Sequence, residues 1–151
     1  MNSRLLAIKM TGRTATAAVY FGCELHYTEI RQLASDLAQA KNSLVAFASS
    51  LIEHFHIDSA VSPESATDTR ARALTTAVLD LLREMAIPHW SIELAELFSA
   101  YGEAPLRSTR ELREVVRGYW PHIIDEKDDG TYLDAAALGL YLQTDRMLSD
   151  N

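Results

Sequence analysis

Three arginines set three and four residues apart carry the most explicit chemistry in this chain. Arg110, Arg113 and Arg117 recur at spacings of three and four, so on a helix they form one stripe. Guanidinium forks in such a row can hold phosphates. Glu114 falls within one turn of both Arg110 and Arg117, which equally describes an ordinary solvated face laced with ion pairs. Other reactive residue types are present without a reactive arrangement. His54 and His56 diverge by roughly 200° on a helix and cannot share a metal. His26, His89 and His122 have no ligand-like neighbours, and Cys23 lies between two apolar runs with no triad around it. The run Asp125, Glu126, Asp128, Asp129 lacks the alternating acidic spacing and distal glutamate of a calcium loop, so it reads as a solvated acidic loop. Trp90, Tyr101, Tyr119 and Trp120 suit either a core edge or a partner contact.

Composition narrows the class. The chain has 151 residues, 48% hydrophobic and 23% charged, which fits one globular domain over 1–151. At that length about 68% of the unfolded surface can be buried without staples, and a single cysteine rules out an intramolecular disulfide. Met1 to Met10 lacks the apolar run of a signal peptide, so the expected location is the cytoplasm. No stretch is apolar for the ~20 residues of a membrane helix. The formal charge is -7, but it is unevenly placed: 14 acids against 12 bases up to Trp120, then 7 acids against 2 bases from Pro121 on. A nearly neutral body can therefore still carry a local basic stripe.

The elements that would position these residues follow from periodicity. Leu5 to Ile8 and Ala15 to Phe21 are apolar runs separated by Thr11-Gly12-Arg13-Thr14; Gly22-Cys23 then leads into Glu24 to Ile30, which alternates with period 2. That predicts a three-strand meander, the first strand covered on both sides and the third with one wet face. Asn42 or Ser43 can cap a helix through Leu44, Ala48, Leu51 and Phe55, ending near His56. Ser59 to Val61 reads as a fourth strand stopping at Pro63; Ala71, Leu74, Val78, Leu81 and Met85 as a second helix; Ile87 to Ile92 as a fifth strand. Glu93 to Tyr101 is a short helix with Gly102 as its stop. Ser108 and Glu111 form a capping box for a helix through Trp120, and Thr131 can cap a last helix with Leu133, Ala137, Leu140 and Tyr141 inward. Strands interleaved with helices require a mixed sheet covered on both faces.

This order, with the strings LLAIKMTGRTATAAVY, DSAVSPES, RSTRELREVVRGYW and YLDAAALGLYL, resembles the RNase H-like superfamily and, within it, the RuvC-type Holliday junction resolvases. The resemblance spans Leu5 to Met147. It implies an α/β fold with a five-stranded mixed sheet, the first three strands antiparallel, and helices on both faces. It also implies a homodimer, and a metal site: an aspartate ending the first strand, a glutamate ending the fourth, and two aspartates opening the last helix. Such acids would hold Mg²⁺ or Mn²⁺, two ions about 4 Å apart activating water for phosphodiester hydrolysis.

Transferred onto this chain, those positions fall at Lys9, at Ser62 with Glu64 two residues on, at Asp134, and at Ala137. Lys9 cannot ligate a metal, and only Asp134 is in register. The expectation is a catalytically degenerate relative, a pseudo-nuclease without metal that serves as a binding or assembly module, with nucleic acid as a candidate partner held by Arg110, Arg113 and Arg117. The alternative is an active divalent-metal endonuclease using Asp134 and Glu64. As bare residues, Asp134 also suits a helix N-terminal turn, Glu64 a helix start after Pro63, and Lys9 a strand end with its head in water. A third class is a phosphotransferase, because Met10 to Thr14 resembles the first loop of actin-like ATPases and sugar kinases. That loop lacks its acid here, and the chain is too short for their two-lobed cleft.

Overall fold

The computed structural model describes residues 3–11, 13–64, 68–100, 111–112, 114–115 and 132–149. Strands β1 (Arg4–Met10), β2 (Thr14–Phe21) and β3 (Glu24–Gln32) form an antiparallel meander. Strands β4 (Ser59–Pro63) and β5 (His89–Ile92) add in parallel on the other side of β1, giving the order β3-β2-β1-β4-β5. Between β1 and β2 the Thr11 hydroxyl accepts from Thr14 N at 3.0 Å, while Thr11 N donates to Thr14 O at 2.9 Å. Between β2 and β3 the turn needs a left-handed residue, and Gly22 supplies it at φ 62°.

Leu5 to Ile8 of β1 form an unbroken apolar run, which suits a strand roofed on both faces. Leu5 and Ala7 point into one core layer, Leu6, Ile8 and Met10 into the other. Each fully buried Leu or Ile contributes roughly 1.5–3 kcal/mol, so this strand alone anchors both layers.

Helix α1 (Leu37–Phe55) and helix α2 (Thr69–Glu84) cover the Leu6 face with Leu44, Phe47, Ala48, Leu74, Val78 and Leu82. Helix α1 starts earlier than Asn42 or Ser43. Asp36 is its cap, the carboxylate accepting from Gln39 N at 2.9 Å, and this satisfies an amide that neither later residue could reach. Its end at His56, φ 53°, agrees with the sequence reading. In α2 the inward residue of the last turn is Leu82, with Leu81 only half-buried, because Ala71, Leu74, Val78 and Leu82 keep one face at spacings of three and four. Strand β5 begins at His89 rather than Ile87.

The opposite face is covered by helix α4 (Tyr132–Ser149), together with Leu112 and Val115 from a helical stretch, while the short helix α3 (Leu94–Ala100) packs beside α4. Helices thus lie on both faces of a five-stranded mixed sheet whose first three strands are antiparallel. The anticipated stop at Gly102, the acidic loop and the Thr131 cap lie outside the described residues, as do the ends of the helix expected from Ser108 to Trp120.

Strand β3 departs from a simple wet-faced strand. Val19 pairs with Tyr27 and Tyr20 with Leu25, so His26 is an extra residue in a β-bulge. The bulge resets the alternation: Leu25 packs on the α4 side and Tyr27 on the α1 side.

Helix α4 is docked by Tyr20. The Tyr20 hydroxyl donates to Ala136 O at 2.7 Å, and its ring lies where a Cβ on Gly139 would sit, so Gly139→Ala forces ring or helix to move. Further along, Gln143 Nε2 donates to Ser3 Oγ at 2.8 Å and to Gly22 O at 2.7 Å. Ser3 precedes β1 and Tyr20 pairs with Leu5, so α4 runs antiparallel to β1. Its N-terminal turn, about 13 Å beyond Gln143, therefore lies toward the Lys9 end of the strand.

In urea denaturation, Gly139→Ala is expected to destabilise the fold by about 1–3 kcal/mol through overpacking against Tyr20. Tyr20→Phe, which removes the bond to Ala136, should cost about 1 kcal/mol. The revised start of α1 is checked the same way: Asp36→Ala should cost about 1 kcal/mol and Ser43→Ala under half of that.

Candidate functional site

One end of the sheet gathers most of the residues singled out above. Lys9 lies near the end of β1, half-buried, on the same face as Leu5 and Ala7 and hence on the α4 side. Across the antiparallel ladder it pairs with Thr16, which pairs in turn with Ile30, so Ile30, Thr16 and Lys9 form one row on that face. Thr16 is 1% exposed and its hydroxyl donates to the Lys9 carbonyl at 3.3 Å, which ties the end of β1 to β2. The N-terminal turn of α4, carrying Asp134, approaches this row from above by the chain direction derived from Tyr20 and Gln143. The side chain of Asp134 lies outside the described residues.

Strand β4 brings a different residue to this face from the one expected. Leu5 pairs with Ser59 and Ala7 with Val61, so two residues further along both strands Lys9 comes level with Pro63. Val61 points into the α4 layer and Ala60 into the α1 layer; Ser62 therefore faces away from Lys9. The Ser62 hydroxyl, 1% exposed, shares a 2.9 Å hydrogen bond with His89 Nε2 across the β4–β5 pair. Burial, with a smaller push from the Arg83 guanidinium, holds His89 below the ordinary imidazole value. A neutral Nε2 accepting from Ser62 fits that shift. Ser62 is thus a structural link between two strands and not part of the Lys9 end.

Glu64 follows Pro63 at the end of β4, exposed, with its N–H bonded to Ile92 O at 2.8 Å. Ala137 is fully buried in the core layer beneath α4 with Leu138 and Val61, and it brings no donor atom. Arg110, Arg113 and Arg117 lie outside the described residues. Their helix is seen at Glu111, Leu112, Glu114 and Val115, of which Leu112 is 1% exposed and packs under α4. Among the described residues no group of three or more His, Cys, Asp or Glu is placed to hold a metal ion, and no helix is long and apolar enough to cross a membrane.

The chemistry available at this end is that of a cation on a rigid strand. Lys9 brings an ammonium, Thr16 a hydroxyl that bonds the backbone, and α4 the positive end of its dipole. The ammonium and the helix dipole are both attractive to an anion.

A second feature escaped the sequence reading. Between β3 and α1 runs a groove of about 420 Å³ lined by Tyr27, Glu29, Arg31, Phe47, His54 and Phe55, among others. Tyr27 donates to Glu29 at 2.6 Å, Arg31 donates to the same carboxylate at 3.1 Å, and Arg31 lies 4.9 Å over the Phe47 ring. The bond to Glu29 is the main reason the Tyr27 phenol is raised above its usual value. The alternation of Tyr27, Glu29 and Arg31 was visible in the sequence, but its partner face on α1 was not.

No protein-family model and no curated protein sequence matches the chain. Solved structures do match. Thermus thermophilus RuvC superposes with a TM-score of 0.77 at 15% identity, covering 95% of this chain and 96% of that one. The same protein in complex with Holliday junction substrate gives 0.76 at 15% identity, with 96% of each chain covered. The fowlpox virus resolvase, solved with Holliday junction DNA, gives 0.57 at 13% identity over 97% of each chain. With its strand order, its helices on both faces and this likeness along nearly the whole length, the chain has the RNase H-like fold in its RuvC-type form.

Proposed function

We propose that this protein binds branched nucleic acid without hydrolysing it, as a pseudo-nuclease on a RuvC-type scaffold. The observation that carries the reading is Lys9, a cationic residue on the strand end where the family resemblance implies a metal-ligating aspartate. An ammonium has no lone pair for a metal and repels one, but it meets a phosphate oxygen directly. Its surroundings support that role. Pro63 and Ala137 bring no ligand, and the Ser62 hydroxyl is committed to His89 on the other face. Lys9, Pro63 and Ala137 supply no ligand for a divalent cation. Arg110, Arg113 and Arg117 would extend the phosphate contact. Of nucleic acid forms, a four-way junction is the first to try, because the fold's solved neighbours include two bound to Holliday junctions.

One observation favours a second reading. The end of β4 with Glu64 and the first turn of α4 with Asp134 lie toward the same end of the sheet, as a metal-dependent endonuclease would need.

Fluorescence anisotropy with a synthetic four-way junction in EDTA should show binding that falls with salt. Lys9→Ala should weaken it and lower the slope of log affinity against log salt by about 0.9, the share of one phosphate contact, with Lys9→Arg close to wild type. Incubation of junction and linear substrates with Mn²⁺ should leave them intact. Cleavage abolished by Asp134→Ala would establish the endonuclease instead.

A further inference from the structure

Strand β3 is the edge of the sheet, with β2 on one side and no described strand on the other. Which of its backbone groups are spent on β2 follows from the ladder. Leu33 N donates to Arg13 O at 2.8 Å, and hydrogen-bonded pairs recur at every second residue along an antiparallel ladder. Arg31, Glu29 and Tyr27, level with Ala15, Ala17 and Val19, therefore turn their N–H and C=O groups to β2. Thr28, Ile30 and Gln32 turn theirs outward. The bulge at His26 lies before this stretch, and from Tyr27 to Gln32 the register is regular, so the outward groups form an even row.

Beside that row runs the groove of about 420 Å³ between β3 and α1. Its strand wall is Tyr27, Glu29 and Arg31, a length of about 13 Å. Its helix wall stands open because Ser43, Ala46 and Ser50, at spacings of three and four, are small, while Phe47 and Phe55 add aromatic surface. A chain added to β3 puts the side chains opposite Tyr27, Glu29 and Arg31 on this same face, over the groove. Edge and groove thus offer one extended chain its backbone partners and its side-chain room along the same stretch.

The charges of the groove are unequally used. Glu29 accepts from Tyr27 at one oxygen, 2.6 Å, and from Arg31 at the other, 3.1 Å. Arg31 gives Glu29 one of its five N–H groups, and its side chain is 49% exposed. The acid is satisfied while the guanidinium keeps donors to spare, so the Arg31 end suits a carboxylate. The other end, where the Phe55 and Tyr27 rings lie 5.1 Å apart, suits an apolar ring. A second β3 does not fill this space. Its own Tyr27, Glu29 and Arg31 would be the residues it brings, and these are tied to one another, with Arg31 over its own Phe47 at 4.9 Å.

We propose that the β3 edge and its groove are a docking site for an extended peptide segment of another protein. The segment adds as a sixth strand, with an aromatic side chain toward Phe55 and an acidic one toward Arg31. The site lies on the face of the sheet opposite Lys9 and does not rest on nucleic-acid binding.

Two capped heptapeptides of threonine test it, one with phenylalanine second and aspartate sixth, the other with the two exchanged, so that both chain directions are covered. Titrated into the full chain labelled with nitrogen-15, one of them should bind and slow amide exchange at Thr28, Ile30 and Gln32. N-methylation of every second peptide amide should abolish binding in one frame and spare it in the other, because alternate amides face β3. Ala46→Trp, at an exposed position, fills the groove and should remove binding with the circular dichroism of the fold unchanged. Arg31→Gln should weaken binding by about 2–5-fold and erase the preference for aspartate over asparagine in the peptide. Binding by neither peptide overturns the proposal, as does equal behaviour of the two methylation frames or binding that survives Ala46→Trp. Protection of the same three amides without peptide, at twice the monomer mass, assigns the edge to a second copy and overturns it too.

Discussion

The contact between Tyr20 and helix α4 is the one on which the rest of the molecule's arrangement turns. Tyr20 belongs to the meander at the start of the chain, and α4 closes the chain more than a hundred residues later. A single ring supplies shape against Gly139 and a hydroxyl for Ala136 O, while Gln143 reaches Ser3 and Gly22 a turn further on. These contacts fix the direction and height of α4 over β1. Because a helix is rigid over such lengths, they also decide what its distant N-terminal turn faces. The Lys9 end of the sheet is therefore positioned by groups clustered at the other end.

How far the sequence can be read depends on the range of the interaction concerned. The meander was legible because Leu5 to Ile8 and Ala15 to Phe21 announce burial by composition alone, and the structure places them as expected. The start of α1 is only faintly marked: Asp36 with Gln39 three residues on is a capping pattern, but Leu37 to Gln39 has no apolar rhythm to attach it to. The bulge at His26 and the level of Lys9 against Pro63 were not legible. Both depend on register, and a slip of one residue turns every side chain to the other face. This is why Ser62, one residue from the position level with Lys9, belongs to a different face and a different partner, His89. The Gly139 contact was invisible for the simplest reason, that its partner is remote in sequence.

Charge distribution complements this geometry. The acidic excess lies mostly beyond Trp120, where 7 acids meet 2 bases, leaving the body close to neutral. A single cation held on a strand then matters to its surroundings more than the total of -7 implies, because exposed charges farther away than about 8–10 Å are screened at physiological salt. The opposite signs of Glu29 and Arg31 act at the same short range.

The proline level with Lys9 has a consequence for how freely this surface can change over evolutionary time. A carboxylate cluster at that end would need new residues at Lys9, at Pro63 and at Ala137 together. An acid at Ala137 alone would be a charge sealed in a fully buried core layer, which costs several kcal/mol unless a cation is already present to meet it. An acid at Lys9 alone would discard the only cation on that row. These two steps each lose something before the set is complete, so the present surface obstructs change toward an acidic site at both positions.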